Sequence, residues 1–182
     1  MAQSPSSTVR VMSVPPASEI ARHLPGADFH DCHAVDVDTR NPSALSLYLD
    51  VVKHTPTWVG ALMTLRNHAV GLVGLKNLGA LDGVSPDKPA SDYRVGDRIG
   101  IFTLYLLTDD EIILADADKH LRVELSVYKL SDALRPAVAV STVVHIHNAL
   151  GRIYMLFVTP LHKRIVPAIL RRASITAPER RS

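Results

Sequence analysis

Apolar and polar residues alternate along four runs in the second half of the chain: "RIGIFTLYLL" at 98–107, "EIILADA" at 111–117, "HLRVELSVYKL" at 120–130 and "AVAVSTVVHIH" at 137–147. A period of two sends successive side chains to opposite faces, so each run predicts a β-strand. The intervening "TDD", "DADK" and "SDALRP" supply turn formers, and links this short predict an antiparallel meander. An earlier alternating run, "DCHAVDVDT" at 31–39, predicts a first strand. Elsewhere the period is helical. "RNP" offers Asn41 as N-cap and Pro42 at the first helical position, ahead of Leu45, Tyr48, Leu49 and Val52 on one face. "TPTW" starts a second helix with Thr55 as cap, carrying Trp58, Leu62, Leu65, Ala69 and Leu72. From Ala149 a long terminal helix is expected, with Ile153, Leu156, Phe157, Leu161, Ile165, Ile169 and Leu170 as its apolar side. That side should cover the sheet, and Pro160 and Pro167 should kink or break the helix.

The order strand, two helices, antiparallel strands, terminal helix predicts an α+β protein of the helix-grip kind: a curved antiparallel sheet wrapped around a long C-terminal helix. Incomplete filling of the grip would leave a hydrophobic cavity. Residues 1–17, rich in Ser, Pro and small side chains, read as a flexible lead-in; 18–173 form the single domain and 174–182 a basic tail. The segment 74–97, with four glycines, two prolines and no period, is the expected mouth of the cavity. No internal repeat is visible.

At 182 residues the chain suits one domain, and 47% hydrophobic with 21% charged residues is the composition of a folded protein. A net charge of +2 gives no reason to expect nucleic acid. The basic surplus gathers at His162, Lys163, Arg164, Arg171, Arg172, Arg180 and Arg181, which reads as a solvated helix face and tail. Cys32 is the sole cysteine, so no disulfide forms within the chain and a reducing, cytoplasmic setting is expected. The start of the chain lacks a signal-peptide pattern, and no stretch reads as a span of roughly 18 apolar residues. Membrane contact by "HKRIVPAILRR" is a minor alternative, without stable insertion.

Among chemical candidates, His145 and His147 flank Ile146 and should share a strand face. With Asp118 or His120 they could meet a metal or a ligand, but the pair alone does not make a metal site, and neither a metal nor another cofactor is expected. Asp118 and His120 could form an acid–base pair, or simply the polar bend before the next strand. His120, Arg122, Glu124 and Ser126 share one face of that strand, read as water-exposed, opposite Leu121, Val123, Leu125 and Val127. Arg66 with Trp58, and Arg152 with Tyr154, are candidates to hold and enclose a ligand, the alternative for Arg66 being a structural ion pair. An arginine at a helix start opposes the macrodipole, so Arg152 calls for a partner such as Asp116 or Glu124. Tyr93, Arg98 and Tyr105, at the loop's end and on the strand after it, complete the ligand-binding set. Nucleophilic and nucleotide chemistry lack their signatures: Cys32 has no defined partner, and the glycines of "GLVGLKNLG" are wrongly spaced for a phosphate loop.

Five phrases taken together carry a resemblance: "LPGADFHD" at 24–31, "TPTWVGALMTLRN" at 55–67, "YRVGDRIGIF" at 93–102, "DKHLRVELSV" at 118–127, and "VVHIHNALGRIYM" with "PLHKRIV" at 143–166. In this order they resemble an uncharacterised bacterial family, known only as a domain of unknown function, of the START-like, polyketide-cyclase-like (SRPBCC) superfamily. The resemblance implies a helix-grip fold and a ligand-binding habit but no established activity. Three functions are therefore expected in turn: binding of a small hydrophobic molecule or lipid between sheet and terminal helix; a cyclase- or hydratase-type enzyme using Asp118, His120, His145 and His147; or an interaction module, for instance a homodimer.

Overall fold

The computed structural model describes residues 9–37, 43–53, 55, 59–60, 88–130 and 136–175, with the backbone alone at 173–175. Among the described residues seven strands form one sheet: β1 (Arg10–Val11), β2 (Phe29–Asp36), β3 (Arg98–Ile99), β4 (Phe102–Leu107), β5 (Glu111–Ala117), β6 (Leu121–Leu130) and β7 (Ala137–Ile146). Their spatial order is β1-β2-β7-β6-β5-β4-β3, and every neighbouring pair is antiparallel. The meander β3 to β7 is that expected from the alternating runs. Strand β2 extends it by pairing with β7, Cys32 opposite Ser141. Helices α1 (Ala44–Lys53) and α2 (Ala149–Ile175) complete an α+β fold in which the long terminal helix packs against a curved sheet.

The expected run 98–107 is two strands. Gly100, at φ +60°, and Ile101 form a two-residue loop that pairs Ile99 with Phe102, a left-handed conformation that a β-carbon would strain. One step further, Leu104 pairs with Leu114 and Leu106 with Ile113, leaving Tyr105 as the extra residue of a bulge. A bulge re-aims its side chain, and Tyr105 projects from the sheet.

Each sheet face has its own core. On the inner face Val127, Val138, Val140, Leu104, Ile112 and Leu114 pack with Leu45, Tyr48, Leu49 and Val52 of α1 and Leu170 of α2. The 3.6-residue spacing of the α1 residues puts them on one face, as the sequence predicts, and burial of each aliphatic side chain contributes about 1.5–3 kcal/mol. On the outer face Cys32, Ile113, Ala139 and Val143 pack under Val14 and Ile20. The covering piece is the segment 12–27 with its 3-10 turn at Glu19–His23. Part of the stretch read as a lead-in is therefore integral: Arg10 and Val11 pair with β2, and Val14 is buried.

This cover corrects the reading of β6. Its apolar residues do face the inner core, but Glu124 and Ser126 are buried beneath the N-terminal segment, not set in water. Their polarity matches the underside of that segment. Glu111 on β5 accepts from the Glu19 and Ile20 amides at 2.6 and 3.2 Å and from Ser126 Oγ at 2.7 Å, so one carboxylate satisfies the first donors of the 3-10 turn.

Of the two outcomes expected for the prolines of helix α2, a kink or a break, the break does not occur. The helix runs unbroken through Pro160 and Pro167. The prolines are seven residues apart and share a side, where the carbonyls they leave unbonded, those of Leu156 and Lys163, belong to exposed residues that water can serve. Further, the apolar side built from Ile153, Leu156, Phe157 and Leu161 is exposed. The side facing the protein carries Gly151, Met155, His162, Val166 and Leu170 instead. Gly151 sets this rotation, because a β-carbon there would run into the His120 carbonyl. Of the second expected helix, Val59 and Gly60 are helical; Asn41, Pro42, Trp58, Arg66 and the loop residues 74–87 lie outside the described residues.

Candidate functional site

Asp118, His120 and His147 adjoin one another through backbone atoms, with His147 Nδ1 3.3 Å from the Asp118 carbonyl, while His145 stands apart from them. Asp118 Oδ1 accepts from the His120 and Leu121 amides at 2.7 and 3.0 Å, the geometry of an Asx turn that starts β6. The His120 ring meets Asn148 Oδ1 at 3.1 Å, and the same oxygen accepts from the Gly151 amide at 3.1 Å, capping α2. Asn148 Nδ2 donates to the Lys119 carbonyl at 2.9 Å, and the His147 amide to the His120 carbonyl at 2.8 Å. "DADKH" and "HIHN" thus form the joint that fixes the helix start on the sheet. His147 is exposed, and His145 turns to the outer face, its Nε2 lying 3.4 Å from the Pro25 carbonyl.

A cleft of about 260 Å³ opens on that outer face, lined by His23, Pro25, Tyr105, Arg122, Glu124 and His145. It gathers two of the expected ligand-binding residues, Tyr105 and His145. Its charges are matched from within. Arg122 Nη2 donates to Glu124 Oε1 at 2.6 Å, His23 Nδ1 lies 3.0 Å from the same oxygen, and the Arg122 guanidinium stands 5.5 Å from the centre of the Tyr105 ring. The hydrogen bond to Glu124 raises the Arg122 pKa against the opposing effect of burial, which keeps the guanidinium charged. Glu124 is thus committed to Arg122 and His23, not to Arg152. The other expected residues stand apart: Tyr93 belongs to the inner core beneath Lys88, Arg98 donates to the Ile101 carbonyl at 3.0 Å, Arg152 is exposed and Tyr154 is half-buried.

A second polar group lies on the inner face, between sheet and α2. Asp31 and His33 are two apart in β2 and share that face; Thr142 is opposite Asp31 on β7; His162 reaches down from α2. His162 Nε2 lies 3.0 Å from Asp31 Oδ2, an ion-pair distance at an angle too oblique for a hydrogen bond, and His33 Nδ1 lies 3.9 Å from the same oxygen. The His162 ring stands edge-on to Phe29, with centroids 5.6 Å apart. Both Asp31 carboxylate oxygens, His33 Nδ1, Thr142 Oγ1 and His162 Nε2 are buried without a hydrogen-bond partner in the protein.

Burial pushes the Asp31 pKa up, but His162, through contact and charge, then the charge of His33 and the nearby Thr142 hydroxyl outweigh it and hold the carboxyl below its ordinary value. His33 moves the other way on balance. Burial is the leading cause that lowers its pKa, helped by His162 and Arg171 and opposed by Asp31, so its ring favours the neutral form. Cys32, between them in sequence, points to the opposite face; burial raises the pKa of its thiol, which is unsuited to act as a nucleophile. An imidazole beside a buried carboxylate, with a neutral imidazole and a hydroxyl next to it, can accept or deliver a proton and can bind a polar head group. Among the described residues no group of three or more His, Cys, Asp or Glu is arranged to hold a metal ion.

The sequence reading missed this cluster. Asp31 and His33 carried a usable signal, a spacing of two within a predicted strand. His162 did not, since "HKR" reads as part of a solvated basic run.

Residues 23–169 match the family described as "Protein of unknown function (DUF2867)", and the chain belongs to that family. No curated protein and no solved structure matches it.

Proposed function

We propose that this member of the DUF2867 family binds a small, largely apolar molecule with a hydrogen-bonding head group between the sheet and α2. The head group is met by Asp31, His33, Thr142 and His162. A single observation carries the reading: buried polar atoms of four residues meet on an otherwise apolar face without hydrogen-bond partners in the protein. A buried polar group left unpaired costs about 1–3 kcal/mol, so such a cluster weighs against the fold unless a bound group satisfies it. The outer cleft lacks this property because Arg122, His23 and Glu124 already satisfy one another. The unpaired atoms suit a hydroxyl, which donates to Asp31 and accepts from Thr142 or an imidazole N–H.

Mass spectrometry of denatured, solvent-extracted protein should detect a copurifying apolar compound, and 2-naphthol or 1-decanol should raise the melting temperature. Asp31→Asn should remove at least half of that rise, while Glu124→Gln keeps it. A rise equal in wild type and Asp31→Asn, or no response to either probe together with an empty extract, refutes the proposal.

The 3.0 Å approach of His162 to Asp31 favours a second reading, an acid–base enzyme of the cyclase or hydratase type. Asp31 would orient the imidazole while His162 moves a proton on the bound molecule. In that case His162→Gln keeps ligand binding and abolishes turnover of the extracted compound.

A further inference from the structure

Helix α2 is apolar on both sides. Its inner side packs through Met155, Val166 and Leu170. On its outer side Ile153, Leu156, Phe157 and Leu161 are 54%, 73%, 70% and 41% exposed, with exposed Pro160 among them. Large apolar side chains contiguous on one helix face mark a contact surface. Exposed Arg152 precedes this patch, and exposed Lys163, Arg164, Arg171 and Arg172 follow it. Ile153, Phe157, Arg164 and Arg171, at spacings of four, seven and seven, lie along one outward line. The helix contains no Asp or Glu. The outward side is thus an apolar N-terminal half continued by a cationic C-terminal half.

We propose that this side of α2 docks the domain on an anionic membrane surface. The apolar side chains enter the boundary of the acyl chains and the cations meet the lipid phosphates. Charge complementarity argues for this occupant: Arg152, Lys163, Arg164 and Arg171 flank or continue the patch, and the helix itself carries no acid. It also argues against a second copy. A two-fold contact centred on the apolar half would pair that half with itself but leave Lys163, Arg164 and Arg171 unmatched, whereas an anionic surface engages both halves. Docking is peripheral. Within Ala149–Arg172 the most apolar window reaches a mean hydropathy of 1.3, long and apolar enough by composition to cross a bilayer, contrary to the sequence expectation. Spanning would strip Leu170 and His162 from the sheet they cover, whereas lying flat uses only the exposed side. The apolar side chains and Arg164 lie on the exposed side of the helix, and although the charge of Arg171 reaches His33, the proposal does not rest on the ligand.

The test is sedimentation of the full chain with vesicles of phosphatidylcholine alone or with 30% phosphatidylserine, at low and physiological salt. Binding should require the anionic lipid and weaken with salt. Arg164→Gln with Arg171→Gln should lower the partition coefficient roughly 30-fold, and Leu156→Ser with Phe157→Ser at least about tenfold. All four sites are exposed, so both double variants should keep the wild-type unfolding midpoint. Failure to bind anionic vesicles at low salt, equal binding to neutral vesicles, or indifference to both variants overturns the proposal. So does a concentration-dependent dimer in sedimentation velocity that Phe157→Ser abolishes, which would assign the face to a second copy.

Discussion

On the outer face of the sheet Glu124 gives one oxygen to Arg122 at 2.6 Å and to His23 at 3.0 Å, and its neighbour Glu111 holds two amides and a hydroxyl. On the inner face Asp31 meets His162 obliquely at 3.0 Å and His33 only at 3.9 Å, leaving both carboxylate oxygens without a hydrogen bond in the protein. Both regions bury acids, and burial without partners is costly. The outer acids are matched by elements of the fold and so hold it together. Asp31 is stabilised by nearby charge yet keeps hydrogen-bonding capacity, which suits a group that must receive something else. A buried acid marks function here by what its partners leave undone.

The most severe test of the contrast is Glu111→Ala. It removes the acceptor for Glu19 N, Ile20 N and Ser126 Oγ together, so donors become orphaned beneath the N-terminal segment. Urea unfolding should show a loss on the order of 3 kcal/mol. A loss below about 1 kcal/mol would mean that the segment is not fixed by this carboxylate, and the outer face would lose its structural reading. Glu124→Ala comes next, at about 1–2 kcal/mol, because the Arg122 and His23 side chains are 37% and 24% exposed and can turn to water when their partner goes.

The same contrast explains what the sequence disclosed. Strands β5 to β7 and the buried stripe of α1 followed from periodicity because a period of two or 3.6 is a local property of the chain. The facing of α2 did not. Its outward side carries Ile153, Leu156, Phe157 and Leu161, the more apolar choice by pattern, while its packed side carries Gly151 and His162, whose reasons are a close approach to the His120 carbonyl and a charge on β2. Those are tertiary facts, invisible to a hydrophobic period. The polar stripe of β6 is legible as a stripe, but the segment that buries it begins in the Ser- and Pro-rich stretch 1–17, whose lack of a period reads as a flexible lead-in. "DADKH" carries both meanings as a sequence, and the contacts of Asn148 make it a turn and a helix anchor.

The smallest expected effect separates the two faces by pH. His33 is neutral-favouring in the folded protein, chiefly because it is buried, with His162 and Arg171 adding to that and Asp31 opposing it. An unfolded histidine titrates near 6.5, so below that pH the unfolded chain takes up a proton that folded His33 resists. Stability is therefore complete above about pH 6.5 and declines as pH falls toward the lower folded pKa. Asp31 adds a second, more acidic loss below its ordinary value of 3.8, since its folded carboxyl is the stronger acid. His33→Gln should flatten the slope of unfolding free energy just below pH 6.5 and reduce, without removing, the loss below pH 4, whereas Asp31→Asn should remove that acidic loss and steepen the slope below pH 6.5, because Asp31 opposes the His33 shift. Glu124→Gln should leave the His33 slope unchanged, because Glu124 lies across the sheet. If it removed that slope, the two faces would be coupled, and the division between a structural acid and a receptive one would fail.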